Sequence, residues 1–205
     1  LFRSRCLSLG HAGALPRLTT CQVRCDPRAP WFPDLASWQA FLEQHPQLEW
    51  CEIPRPPQPI WALEVWRQLP RLRGLVLEVA ARATARVQEP PLNLHALAHV
   101  ARLGVEGVAV PLEDAAWPQE LAATRWSVQL ESLTWLRGFL ERVAATVTHL
   151  MLWARNAVVQ ALDLDALVAV FTQVRFRALE CVDGHPMLAV PLLRAKAAAI
   201  AVGPW

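Results

Sequence analysis

Leu72-Arg-Gly-Leu75-Val-Leu77 runs apolar, two variable residues, apolar, one variable, apolar. Its closing alternation reads as a strand with Leu75 and Leu77 on one face and Val76 on the other. The phrase occurs upstream as Leu18-Thr-Thr-Cys21-Gln-Val23 and Leu48-Glu-Trp-Cys51-Glu-Ile53. Downstream it reads Val105-Glu-Gly-Val108-Ala-Val110, then, more weakly, Arg125-Trp-Ser-Val128-Gln-Leu130. Val147-Thr-His-Leu150-Met-Leu152, Phe176-Arg-Ala-Leu179-Glu-Cys181 and Ala197-Ala-Ala-Ile200-Ala-Val202 follow. Successive starts lie 30, 24, 33, 20, 22, 29 and 21 residues apart. Parallel strands are expected near 20–24, 50–54, 74–78, 106–110, 127–131, 149–153, 178–182 and 199–202. Leu7-Ser-Leu9 reads as an extra edge strand ahead of them.

Between the phrases the apolar period lengthens to that of a helix. Leu35, Trp38, Phe41 and Leu42 share a helical face behind Asp34, a candidate cap. Leu94, Leu97, Ala98 and Ala101 do so behind Asn93, Leu133, Leu136, Leu140 and Val143 behind Ser132, and Leu164, Leu167, Val168 and Phe171 behind Asp163. Pro59–Leu69 and Leu188–Ala197 are further helix candidates, the second interrupted by Pro191. Each strand–helix unit is too small to bury its own apolar face, and stacking units side by side gives one continuous core.

The LxxLxL-like phrases, clearest at Leu72–Leu77, with a helix on each return path, resemble the leucine-rich repeat family over roughly residues 15–203. The resemblance implies an α/β right-handed solenoid, an irregular horseshoe with parallel strands on its concave side and helices on its convex side. The family's Asn or Cys three residues beyond the last apolar position is replaced here by Asp26, Pro56, Ala80, Glu113, Leu133, Arg155 and Gly184, so no asparagine ladder is expected. Spacings of 30 and 33 exceed the family's usual ~20–29. An open α/β sheet with helices on both faces is the competing architecture, but it needs no recurring phrase. It would also usually carry a glycine-rich turn after an early strand.

With 205 residues, 54% hydrophobic and 19% charged, the chain is long and apolar enough for a sizeable core and is not intrinsically disordered. Residues 1–205 are expected to form a single repeat domain, part of a longer chain or assembly, since the first residue is Leu1. Twenty basic against 18 acidic residues make no field for nucleic acid or an anionic membrane. The apolar runs Ala157–Val174 and Ala197–Val202 fall short of the ~20 uncharged residues of a membrane span. Five scattered cysteines point away from a disulfide framework and toward a reducing, cytoplasmic setting.

Common phosphate-loop, zinc and nucleophile-elbow motifs are absent from the sequence, and no cofactor is expected. His95 and His99, four apart, would share a helix face as two zinc ligands do, but no third ligand stands nearby. Asp163 and Asp165 suit a helix N-terminus better than an acid–base pair, and Glu113-Asp114 reads the same way. Cys21 and Cys51 take the same position in consecutive phrases and become core neighbours in a stack, with Cys181 at another core position. Cys25 reads as the exposed thiol, and Arg3, Arg5, Arg17, Arg24 and Arg28 read as a solvated rim.

Function is expected on the variable strand positions, which point away from the core. In order these are Thr20, Gln22 and Arg24; Trp50 and Glu52; Val76 and Glu78 beside a gap at Gly74; Gly107 and Ala109; Ser127, Gln129 and Glu131; His149, Met151 and Trp153; and Ala178, Glu180 and Val182. Trp126 flanks them. Trp50, Glu52, Gln129, His149, Met151, Trp153 and Glu180 are the candidate partner-binding residues, because exposed Trp and Met are characteristic of protein interfaces. The expected function is a non-enzymatic recognition or scaffold module with a protein partner. An α/β enzyme, hydrolase- or transferase-like, and a structural segment of a large assembly are the alternatives.

Overall fold

A computed structural model describes residues 18–22, 34–54, 59–78, 90–106, 108, 110–154, 156–184, 188, 191–194 and 197. Among them seven strands follow one another in chain order: β1 (Thr20–Gln22), β2 (Trp50–Pro54), β3 (Gly74–Glu78), β4 (Arg102–Glu106), β5 (Arg125–Gln129), β6 (His149–Trp153) and β7 (Cys181–Gly184). The chain forms two compact units, Leu1–Leu121 and Ala122–Trp205. In the first, β1 to β4 pair in sequence, all parallel. In the second, β5 pairs with β6 and β6 with β7, again parallel. The α/β class and the parallel pairing are as the recurring phrase predicts.

The residue before a strand anchors the ladder. The Thr19 carbonyl accepts the N–H groups of Glu49 (2.7 Å) and Trp50 (3.1 Å), and that of Glu49 accepts those of Arg73 (2.8 Å) and Gly74 (3.1 Å). Thr124 and Thr148 repeat the arrangement in the second unit, toward Thr148 and His149 and toward Glu180 and Cys181. Parallel strands cannot be joined by a tight turn, and the intervening segments supply the crossovers.

Strand alternation then makes the core. Cys51, Leu75 and Leu103 stand in register and fully buried, followed by Ile53, Leu77 and Val105. Leu48, Leu72, Val100 and Val147, each ahead of a strand, are also buried. Fully burying one such side chain contributes roughly 1.5–3 kcal/mol. In the second unit Trp126 of β5 meets Phe139 edge-on at 5.2 Å. Phe139 lies on α2 (Leu133–Val143), whose side chains Trp135, Leu136, Leu140 and Val143 are buried with it.

Three caps form as predicted. Asp34 Oδ1 accepts the Ser37 N–H at 2.7 Å ahead of α1 (Leu35–Gln44). Ser132 Oγ accepts that of Trp135 at 3.1 Å ahead of α2. After α3 (Asn156–Ala161), which the sequence reading misses, Asp163 Oδ1 accepts from Asp165 (3.0 Å) and Ala166 (3.1 Å) ahead of α4 (Leu164–Gln173).

Other expectations need correction. Pro59–Leu69 is two short 3-10 segments, Ile60–Ala62 and Glu64–Gln68, because Trp61 and Trp66 turn inward and donate their indole N–H groups to Pro90 and Ile60 carbonyls. Residues 94–99 form successive turns rather than a helix, with Leu97 N–H bonded to Leu94 and Val100 N–H to Leu97. Of the Leu188–Ala197 candidate, residues 188, 191–194 and 197 are described, and each is helical.

Three strands lie in other registers than expected. β4 covers 102–106 instead of 106–110, so the phrase is Val100-Ala-Arg-Leu103-Gly-Val105, while Val108 and Val110 are buried beyond the strand. β5 covers 125–129 instead of 127–131, which keeps Ser127 and Gln129 on their expected face. The phrase of β7 starts three residues later, which exchanges its faces. Val182 is buried there, while Leu179, expected in the core, is only half-buried. Trp126, expected beside the outer face, is core. Leu7–Leu9, Gly107, Ala109, Cys6, Cys25, the early arginine group from Arg3 to Arg28 and the strand at 199–202 lie outside the described residues.

Candidate functional site

The strand face turned away from the core carries large side chains in both units. In the first it consists of Thr20 and Gln22, Trp50 and Glu52, Val76 and Glu78, and Arg102. Gly74 and Gly104 lie between them, each beneath a neighbour's side chain, Trp50 over Gly74 and Val76 over Gly104. With β3 bare at Gly74, the Trp50 indole spreads across that strand. The Arg102 guanidinium carbon, one strand further, stands 5.0 Å from the ring centre, within reach of a cation–π contact. One position along, Gln22 Nε2 donates to Glu52 at 2.9 Å. Trp50 and Glu52 are therefore half-buried and fixed in place, and Glu78 and Arg102 are exposed.

In the second unit the face holds Arg125, Ser127 and Gln129 of β5, His149, Met151 and Trp153 of β6, and Cys181 and Asp183 of β7. Trp153 is half-buried, and its indole N–H donates to Ser127 Oγ at 2.8 Å. Thr148 Oγ lies within hydrogen-bond distance of the Thr124 carbonyl, at 3.1 Å. Thr148 Oγ also lies 3.0 Å from His149 Nδ1, a contact that ties the imidazole to the residue ahead of it. The strand presents an apolar bar, Met151 and Trp153, beside the His149 imidazole.

Of the candidate residues, Trp50 and Glu52 come together in the first unit, and Gln129, His149, Met151 and Trp153 in the second. Glu180 does not join them. It precedes β7, is exposed, and gives its N–H to the Thr148 carbonyl at 2.8 Å, while Cys181 and Asp183 take the face positions. Arg102, Arg125, Cys181 and Asp183 were missed. A signal for Arg102 existed, since Val100, Leu103 and Val105 also satisfy the phrase.

The other chemistry resolves into structural roles. His95 Nε2 lies 3.0 Å from the Ala115 carbonyl and His99 Nε2 2.9 Å from that of Leu69. Each is a donor there, which removes that lone pair from metal binding. No group of three or more metal-ligating side chains occurs among the described residues. Asp163, Asp165, Pro191 and Arg194 line a shallow recess at the start of α4, where Asp163 is engaged in capping. Among the described residues no helix is long and apolar enough to cross a membrane.

Comparison with protein-family models and with curated proteins finds no match. The strand face therefore has to be read from its own chemistry. It offers large apolar area fixed by hydrogen bonds, rimmed by Glu, Arg and Gln.

Proposed function

We propose that the chain is a non-enzymatic protein-recognition or scaffold module acting in the cytoplasm. Its architecture is an irregular right-handed solenoid of the leucine-rich-repeat kind, with the open strand face as the concave binding surface. The in-register parallel strands, each returning through helical or turn segments, support that architecture. The partner is a protein, not nucleic acid or membrane. The observation that carries the functional reading is Trp153, half-buried on the open face and held by its bond to Ser127. Such an anchor binds with little further loss of side-chain freedom.

The test compares proteins captured from a lysate by immobilised wild type, Trp50→Ala and Trp153→Ala, with circular dichroism confirming each fold. A protein retained by wild type and lost from either folded variant is the expected result. Capture unaffected by both substitutions would remove the strand face as the binding surface.

A further inference from the structure

Cys21 and Cys51 are register partners on β1 and β2, with both side chains on the core face. Their thiols are hydrogen-bonded to each other. Cys51 is fully buried and Cys21 is 8% exposed. We propose that these two residues form an oxidisable dithiol, which a low-molecular-weight disulfide converts into a Cys21–Cys51 bond tying β1 to β2.

Adjacent strands lie about 4.8 Å apart, inside the roughly 4.4–6.8 Å between Cα atoms that a disulfide spans. Parallel register partners hold their Cβ atoms nearly as far apart as their Cα atoms, whereas a disulfide needs about 3.8 Å between them. Bond formation therefore requires β1 to pivot inward by roughly 1 Å. A strand of three residues that pairs, among the described residues, with β2 alone is suited to that movement. Local opening of so short a strand also exposes Cys21 before Cys51.

The two sulfurs differ in the way the chemistry needs. The hydrogen bond with Cys51 holds the Cys21 thiol below its ordinary value. That same bond, then burial, pushes the Cys51 thiol well above its own. Cys21, the less buried of the two and on the strand that opens first, is the attacking thiolate, and the fully buried Cys51 is the resolving thiol. The Cys21 thiolate attacks one sulfur of glutathione disulfide, forming a mixed disulfide and expelling one glutathione thiolate. Cys51 then gives up its proton to solvent, and its sulfur attacks that of Cys21, expelling the second glutathione. Two protein thiols are oxidised by two electrons, and one glutathione disulfide is reduced to two glutathione molecules.

The full chain is incubated with glutathione disulfide natively and in urea, quenched by alkylation, and mapped by peptide mass. A Cys6→Ser/Cys25→Ser/Cys181→Ser variant and Cys51→Ala are treated alongside. Expected are a peptide joining Cys21 to Cys51, formed at least roughly tenfold faster natively than in urea, and arrest of Cys51→Ala at the mixed disulfide on Cys21. The wild-type map decides even if a variant fails to fold. Native protein in which both thiols remain alkylatable, or in which Cys21 joins Cys25 instead, overturns the proposal.

Discussion

The indole of Trp50 lies over Gly74 of the neighbouring strand and fills the space that a side chain there would take. A Cβ at Gly74 would collide with Cε3 and Cζ3 of the ring. The glycine is therefore a steric requirement of Trp50, and through it of the contact with Arg102 two strands from β2.

Gly74→Ala should destabilise the chain by about 1–3 kcal/mol, the usual cost of overpacking. The same substitution in a Trp50→Ala background should cost clearly less, since the clashing ring is gone. Urea denaturation of the four proteins in this cycle measures the coupling. Equal costs in both backgrounds would show that Trp50 does not rest on Gly74.

The register of β7 makes a sharper distinction between neighbouring residues. Val182 faces the core opposite Leu150, whereas Glu180 is exposed ahead of the strand. Val182→Ala should cost about 1–3 kcal/mol by lost burial and a small cavity, and Glu180→Ala less than about 0.5 kcal/mol. Denaturation midpoints decide, and a Val182→Ala cost as small as that of Glu180→Ala would restore a strand over 178–182, in which both residues lie on the outer face.

These two cases show which parts of the molecule were legible. The phrases at Leu48–Ile53, Leu72–Leu77 and Val147–Leu152 admit one register each, and their strands lie where predicted. Val105, in contrast, ends one copy of the phrase and begins another, so local pattern alone cannot choose between them. Tertiary contacts choose: Leu103 pairs with Leu75. Asn93 also fixes the preceding turn by accepting the Ala96 N–H and donating to Glu64. A shift by an odd number of residues exchanges the two faces of a strand, which is how Glu180 entered the candidate site, whereas Arg102 was left out because it lies ahead of the strand expected at 106–110. Caps were legible because Asp34, Ser132 and Asp163 act within three residues of themselves. The buried His45, whose Nδ1 lies 2.7 Å from the Phe41 carbonyl at the end of α1, had no such local signature.

The Asp34 cap makes a pH prediction. Hydrogen bonds from Ser37 hold its carboxyl below the ordinary aspartate value of 3.8. A depressed folded-state value means that the ionised cap contributes stability above the unfolded-state value, and that this is lost as pH falls through the folded one. Wild type should therefore exceed Asp34→Asn in stability by an amount that is constant above 3.8 and shrinks at lower pH. Thermal denaturation of both proteins from neutral to acid pH measures it. A difference that grows on acidification would contradict the sign.

Trp153 and Ser127 bear most directly on function. Their hydrogen bond joins β6 to β5 on the open face and sets the orientation of the indole. If the ring anchors a protein partner, Trp153→Ala should weaken binding by about 2 kcal/mol or more, roughly 30-fold in Kd. Because the residue is only half-buried, chain stability should fall by less, about 1 kcal/mol. Ser127→Ala leaves the ring but removes its acceptor, so it should weaken binding by a smaller factor through lost orientation. Trp153→Phe keeps much of the apolar area without the donor and should resemble Ser127→Ala. Calorimetric titration of a captured partner into each variant, beside a urea curve for each, separates the two contributions. Unchanged affinity in Trp153→Ala together with a large loss of stability would place the indole's role within the fold and leave Trp50 to carry the binding surface.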